Sequence, residues 1–325
     1  MKKLLIYGAA GYTGSMVAEQ AKAAGLNVEI AGRDAAKLQT LAERLDVPYR
    51  VFSLDGPPGS ALAGVDVLLN CAGPFAHTAQ PLMYACIEAG VSYLDITAEI
   101  NVYRLAERLS VQAAKAGVML LPGVGWDVVP TDCLAMHVAQ RVRSPQSLRV
   151  ALQVAGSMSR GSAISASEII GAGLMARVEG RLVATPAAQP ELFDFGDGPV
   201  LCAPLSFGDL ITSWHSSAIP NIAMYVHVTG DAFPTGDLAQ LLDGPSAEQR
   251  LTQPARAVAE VTAADGTVAR SVIGTVNGYS YTPLAAVEAA RRVLGGEVRQ
   301  GFATPAQLFG VGFAESIPGT WITDV

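Results

Sequence analysis

From residue 3 to about 122, short apolar runs alternate with stretches of helical periodicity. Lys3–Tyr7, Val28–Ala31, Val65–Asn70, Ser92–Ile96 and Val118–Leu121 predict strands. Thr13–Ala24, Ala35–Arg44, Pro81–Glu88 and Val102–Ala116 predict helices, and the second carries Leu38, Leu41 and Leu45 on one face. Strands that read as continuous apolar runs are those buried on both faces, and strand–helix alternation builds βαβ units. The pattern therefore predicts an α/β, doubly wound parallel sheet.

Past Asp127 the rhythm changes. Asp132–Arg141 predicts a helix, Leu148–Val154 an alternating strand, and a further helix starts near Ser162. A Gly/Pro/Ala-rich passage (184–204) leads into strands expected near Leu210–Trp214 and Ile222–Val228. Ala257–Val261 and Val268–Thr275 flank Ala264-Asp265-Gly266-Thr267, a hairpin turn. Thr282-Pro283 is expected to open a last helix running to about Leu294, with proline in its first turn. The reading gives residues 1–128 plus 283–325 as one domain. Residues 129–282 form a second, α+β mixed-sheet domain for substrate and dimer contacts.

Composition narrows the function. The 325 residues are 50% hydrophobic and 16% charged, with a net charge of −7, and mean hydropathy is +0.32. Such apolarity excludes a disordered chain, and the lack of Lys/Arg clusters argues against nucleic acid as a partner. The longest uncharged stretches, 67–87 and 210–230, are interrupted by polar residues and proline such as Asn70, Pro74, Pro81, His215 and Pro220, so no membrane span is expected. Excess apolarity fits a sheet buried on both faces together with a subunit contact, and a homodimer is expected. The four cysteines show no paired spacing, as in reduced cytoplasmic thiols. The apolar start at Leu4–Ile6 breaks at once into glycines, so a mature cytoplasmic beginning is expected rather than a signal peptide.

Those glycines carry chemistry. Gly8-Ala9-Ala10-Gly11-Tyr12-Thr13-Gly14 links the first strand to the first helix. Glycines there make the tight turn, admit a pyrophosphate to the backbone, and let helix approach strand, while the helix N-terminus faces negative charge. At the end of the first strand of a βαβ series, this predicts a Rossmann dinucleotide site. The second strand ends in Ala31-Gly32-Arg33-Asp34 with Lys37 a turn later. Arg33 and Lys37 suit a ribose 2′-phosphate, so NADP(H) is expected, and Asp34 serves as a helix N-cap.

Together with the glycine loop and Arg33, three motifs resemble the saccharopine dehydrogenase-like oxidoreductases, a group that includes trans-acting enoyl reductases. They are Asn70-Cys71-Ala72-Gly73-Pro74-Phe75, Tyr93-Leu94-Asp95, and Gly123-Val124-Gly125-Trp126-Asp127-Val128-Val129-Pro130-Thr131-Asp132. The likeness extends to Gly208–Thr212, Ile219–Ile222 and Gly278-Tyr279 with Thr282-Pro283. It implies an NADP(H)-dependent oxidoreductase with a Rossmann domain and a mixed-sheet second domain, and it brings Asn70, Ala72, Gly73, Pro74 and Phe75 to the cofactor. Ala98 before Glu99, and Ser159-Arg160-Gly161-Ser162, depart from the family's pattern on the substrate side.

Hydride transfer needs a group that gives or takes a proton. Glu99, Asp127 and His215 are the candidates, with Tyr93 and Tyr279 behind them. Trp126, Arg160, Ser162 and Tyr279 are expected on the substrate side, where the Ser159–Ser162 turn with Arg160 could hold a carboxylate or phosphate. His77, His137 and His227 have no ligand-like spacing, so no metal is expected. The leading reading is reduction of a polarised C=N or conjugated C=C bond in a small, anionic substrate. Saccharopine-type oxidation of an amino-acid conjugate and a non-catalytic NADP sensor remain as alternatives.

Overall fold

A computed structural model describes residues 1–56, 58–229, 241 and 243–325. In chain order the first elements are β1 (Lys3–Tyr7), α1 (Tyr12–Ala23), β2 (Asn27–Gly32), α2 (Ala35–Leu45), β3 (Tyr49–Val51), β4 (Val67–Asn70), α3 (Phe75–Ala89), β5 (Ser92–Asp95), α4 (Ile100–Lys115) and β6 (Met119–Leu121). There follow α5 (Val129–Ala139), β7 (Pro145–Ala155), α6 (Arg160–Gly171), β8 (Met175–Val178), β9 (Arg181–Ala184), β10 (Glu191–Asp194), β11 (Pro199–Pro204), α7 (Asp209–Ser217) and β12 (Asn221–Thr229). The last are α8 (Ala247–Thr252), β13 (Ala255–Ala263), β14 (Val268–Thr275), α9 (Gly278–Leu294), β15 (Gly301–Phe302), α10 (Pro305–Phe309) and β16 (Trp321–Asp324).

The chain divides into two compact units. The first comprises Met1–Thr97, Asn101–Trp126 and Thr282–Ala303. Its sheet runs β15-β6-β5-β4-β1-β2-β3, and every pairing is parallel. The chain winds one way from β1 through β2 to β3 and the other way from β4, which places the topological switch between β1 and β4. Leu4, Leu5, Ile6, Leu68 and Leu69 are wholly buried, as the unbroken apolar runs predict. Leu38 and Leu41, on one face of α2, are buried, and Asp34 caps that helix by accepting from the Lys37 N–H.

The second unit comprises Ala98–Ile100, Asp127–Tyr281 and Thr304–Val325. Its sheet runs β10-β11-β12-β7-β13-β14-β16. β7 and β12 are parallel, whereas β13 pairs antiparallel with both β7 and β14, so the sheet is mixed as expected. Phe193, Phe195, Tyr225, Ala151, Val258 and Val272 form a core cluster on it.

Four local readings change. The strand expected at 210–214 is helix α7, whose residues 209–213 are all buried, so no helical stripe is visible in the sequence. The passage 184–204 contains β10 and β11 and is not merely a loop. Helix α9 begins at Gly278, and Pro283 lies inside it rather than at its start. Finally, 304–325 groups with the second unit instead of the first. There β16 adds to β14, and the Ala306 N–H donates to Asp132 at 2.9 Å. Among the described residues, no helix is long and apolar enough to cross a membrane.

Candidate functional site

The glycine loop of the first unit has the geometry its sequence asks for. Gly8 has φ +81°, in the left-handed region, and a Cβ there would lie 2.7 Å from Ala72. A Cβ on Gly14 would lie 2.2 Å from the Gly8 carbonyl oxygen, so only glycine lets α1 come this close to the loop. Gly11 stands at the N-cap of α1 and brings no side-chain acceptor to its first turn. Tyr12 and Thr13 open that helix. A backbone cradle that any Cβ would fill, at the N-terminus of a 12-residue helix, fits a pyrophosphate. Arg33 and Lys37 are both exposed beyond the end of β2. Lys37 Nζ lies 3.9 Å from the Asp34 carboxylate.

The loop after β4 sits against this cradle. Gly73 is exposed, Phe75 is buried, and the Gly73–Pro74 peptide is cis. Asn70 is fully buried and is turned inward. Its Oδ1 accepts from the Ala72 N–H at 3.0 Å, while its Nδ2 donates to the Thr78 and Tyr93 hydroxyls. Thus Asn70 shapes the loop rather than offering its amide outward. Trp126 is buried, and its backbone N–H donates to Thr282 Oγ1 at 3.1 Å.

In the second unit, two groups of candidates form. Around the first turn of α6, Ser159 is the N-cap and accepts from the Ser162 N–H at 3.1 Å. The Ser159 N–H donates to the Tyr279 hydroxyl, which itself donates to Ser162 Oγ, both at 2.8 Å. One turn on, Ser165 Oγ donates to the buried Glu99 at 2.7 Å. Arg160 is held by the Leu241 carbonyl at 2.7 Å and by Asp243 at 3.3 Å. The turn expected to grip an anion therefore spends its cation and its Ser162 N–H on internal partners.

The other group lies on α5, α7 and the residues before α5. Burial pushes the Asp127 carboxyl up from its ordinary 3.8 to about 6. It is not a helix cap: the N-cap of α5 is Val128. Thr131 Oγ1 donates to the carbonyls of Asp127 and Val128. Asp132 and Asp209, not singled out as proton carriers by the sequence, are wholly buried. Among the described residues, both Asp209 oxygens lack a hydrogen-bond partner within 3.5 Å, as do Asp132 Oδ1 and the Thr212 and Ser213 hydroxyls. Burial raises Asp209 well above the usual carboxylate range; Thr131 opposes the rise in part, and the neighbouring Asp132 and Asp127 add to it. Asp132 is raised by burial and lowered in part by its hydrogen bonds and by His215. His215 lies in the last turn of α7, and its carbonyl accepts from Gln307. The only sequence signal for this cluster was acidic residues inside otherwise apolar motifs. Among the described residues, no group of three or more His, Cys, Asp or Glu side chains is disposed to hold a metal.

Comparison with known proteins bears on the first unit most directly. Residues 4–121 match the family model of the saccharopine dehydrogenase NADP binding domain, which supports NADP(H) as the cofactor. A human saccharopine dehydrogenase-like oxidoreductase is 28% identical over 161 residues, covering 43% of this chain and 38% of that protein. A trans-acting enoyl reductase of Mycobacterium leprae (strain TN) is 30% identical over 149 residues, covering 43% of this chain and 36% of that protein. The chain thus spans well under half the length of these curated relatives. In fold, it resembles the apo saccharopine dehydrogenase (L-Glu forming) of Saccharomyces cerevisiae, with a TM-score of 0.66 at 13% identity over the full length of both chains.

Proposed function

We propose, from the match of residues 4–121 to the saccharopine dehydrogenase NADP binding domain, that the protein is an NADP(H)-dependent oxidoreductase that reduces a polarised C=N or conjugated C=C bond of a small molecule. The observation that carries this reading is the Gly8–Gly14 cradle, closed to every residue but glycine at two positions. Gly8, Gly11, Tyr12, Thr13 and Gly14 would hold the pyrophosphate, Arg33 and Lys37 the 2′-phosphate, and Ala72, Gly73, Pro74 and Phe75 would border the dinucleotide. When bound, NADPH supplies a hydride from its nicotinamide ring.

This chain supplies the proton. Asp127 holds one up to about pH 6 because burial disfavours its anion. A carboxyl tuned toward the working pH is suited to general acid catalysis. Reduction is therefore expected to slow as pH rises through about 6, and Asp127→Asn is expected to abolish that limb of the pH profile. Glu99 and His215 are the other proton carriers in the reading, with Trp126, Ser162 and Tyr279 toward the substrate. Arg160 is tied to Asp243, so a substrate anion would have to displace that pair.

The test is transfer of deuterium from C4-deuterated NADPH into product, read by mass spectrometry across imines and conjugated enoyl compounds. Deuterium in one product class is the expected result and names the bond. NADPH binding without incorporation in any product would contradict turnover and favour a cofactor sensor.

A further inference from the structure

Three buried side chains at the carboxyl ends of β4 and β5 form a one-way hydrogen-bond chain. Asn70 Nδ2 donates to the Tyr93 hydroxyl at 3.2 Å, and that hydroxyl donates to Asp95 Oδ2 at 2.8 Å. The direction is fixed chemically, because an amide NH2 only donates and a carboxylate only accepts. Burial, with the Asp95 charge beside it, holds the Tyr93 phenol well above its ordinary pKa, so it keeps its proton.

Both ends of the chain finish on loop backbone. Asn70 Oδ1 accepts the Ala72 N–H at 3.0 Å, in the loop after β4. Asp95 Oδ1 accepts the Thr97 N–H at 3.0 Å, after β5, and the Gly123 N–H at 2.9 Å, after β6. Thr78 closes a ring at the first end, accepting from Asn70 and donating to the Ala72 carbonyl at 2.6 Å. The Tyr103 hydroxyl, donating to the Thr97 carbonyl at 2.5 Å, braces the second. All three strands lie on one side of the topological switch. In a doubly wound sheet that half serves the nicotinamide mononucleotide, and the β1–β3 half serves the adenosine.

A sheet interior needs no such polar set; apolar side chains of similar shape fill it at equal or lower cost. What the polar set adds is a fixed spacing between three consecutive loops.

We propose that Asn70, Tyr93 and Asp95 are positioning residues for the nicotinamide half of the dinucleotide, their hydrogen-bond chain holding the loops after β4, β5 and β6 in one pre-formed surface. This rests on the cofactor reading above. A pre-formed surface binds more tightly because less ordering remains to be done on association. Tyr93→Phe keeps the buried ring and removes only the hydroxyl. Asp95→Asn presents an N–H2 donor to partners that must themselves donate, the Tyr93 hydroxyl on one side or the Thr97 and Gly123 N–H groups on the other, leaving a donor orphaned in the interior.

The test compares two probes by titration: NADPH, and adenosine 2′,5′-bisphosphate, which carries the adenosine half alone. For Tyr93→Phe, NADPH affinity is expected to fall on the order of tenfold, with Asp95→Asn falling further. The bisphosphate affinity should stay within about twofold in Tyr93→Phe, since a bond lost on one side of the switch leaves the other side's contacts in place. Thermal unfolding recorded on the same samples separates loss of fold from loss of binding. An equal loss for both probes, or no loss for either, would overturn the positioning role. Wild-type protein that binds neither probe would instead overturn the cofactor reading, and the proposal with it.

Discussion

At the scale of single residues, two positions carry the account. Gly14→Ala would drive a methyl group toward the Gly8 carbonyl oxygen, 2.2 Å from the ideal Cβ position. That contact is backbone on both sides, so α1 must move off the loop, at a cost of about 1–3 kcal/mol. NADPH binding measured by fluorescence is expected to be lost or to weaken strongly. Unchanged affinity would show that the loop is not the phosphate cradle. Asp209 makes a prediction of the other kind. Its folded-state pKa lies above the ordinary 3.8, so the native state binds more protons than the unfolded chain. Stability from this group is therefore lost as pH rises from about 4 through the raised folded value. Asp209→Asn is expected to flatten that decline in denaturant midpoints measured across pH. A wild-type-like slope in the variant would place the titration elsewhere.

Several of these roles were legible in the sequence because the physics behind them is local. A glycine string after a strand and an Asp before a helix each act within a few residues. The roles that were not legible depend on chain that is distant. Asn70 stands in a motif that borders the cofactor loop, yet its Nδ2 is spent on Tyr93, in the next strand, and on Thr78. Arg160 looked like a free cation until Asp243 and Leu241 came round to it. No spacing rule encodes either partner.

At the scale of elements, most of the first unit followed its pattern because β1, β2, β4, β5 and β6 are buried, whereas β3, with Tyr49 and Val51 exposed, carries no apolar run and was not expected. Helix α7 did not follow its pattern, because a helix surrounded on all sides over its first five residues shows no polar stripe. Proline misled in α9: it removes one bond, to the residue four back, and the helix runs through. Helix α6 offers the element-scale test. Its Ser159 cap accepts from the Ser162 N–H and bonds the Ser162 hydroxyl as well. Ser159→Ala is expected to lower stability by about 1 kcal/mol in chemical denaturation. A midpoint that does not move would mean that the turn is held by the Tyr279 contacts alone.

At the scale of the whole molecule, low charge and high apolarity have their explanation in two large sheets, one of them wholly parallel with its central strands buried. Net acidity without Lys/Arg clusters argues against one class of anionic partner, nucleic acid, and says nothing against a small one. What admits the small one is local: a backbone cradle at the N-terminus of α1, with Arg33 and Lys37 exposed beyond β2. The central claim is therefore most directly tested by titrating the protein with NADPH and with NADH by fluorescence, alongside Arg33→Ala. NADPH is expected to bind at least ~10-fold more tightly, about 1.4 kcal/mol, and the variant is expected to bind the two alike. Equal affinities in the wild type, or a preference that survives the loss of Arg33, would contradict it.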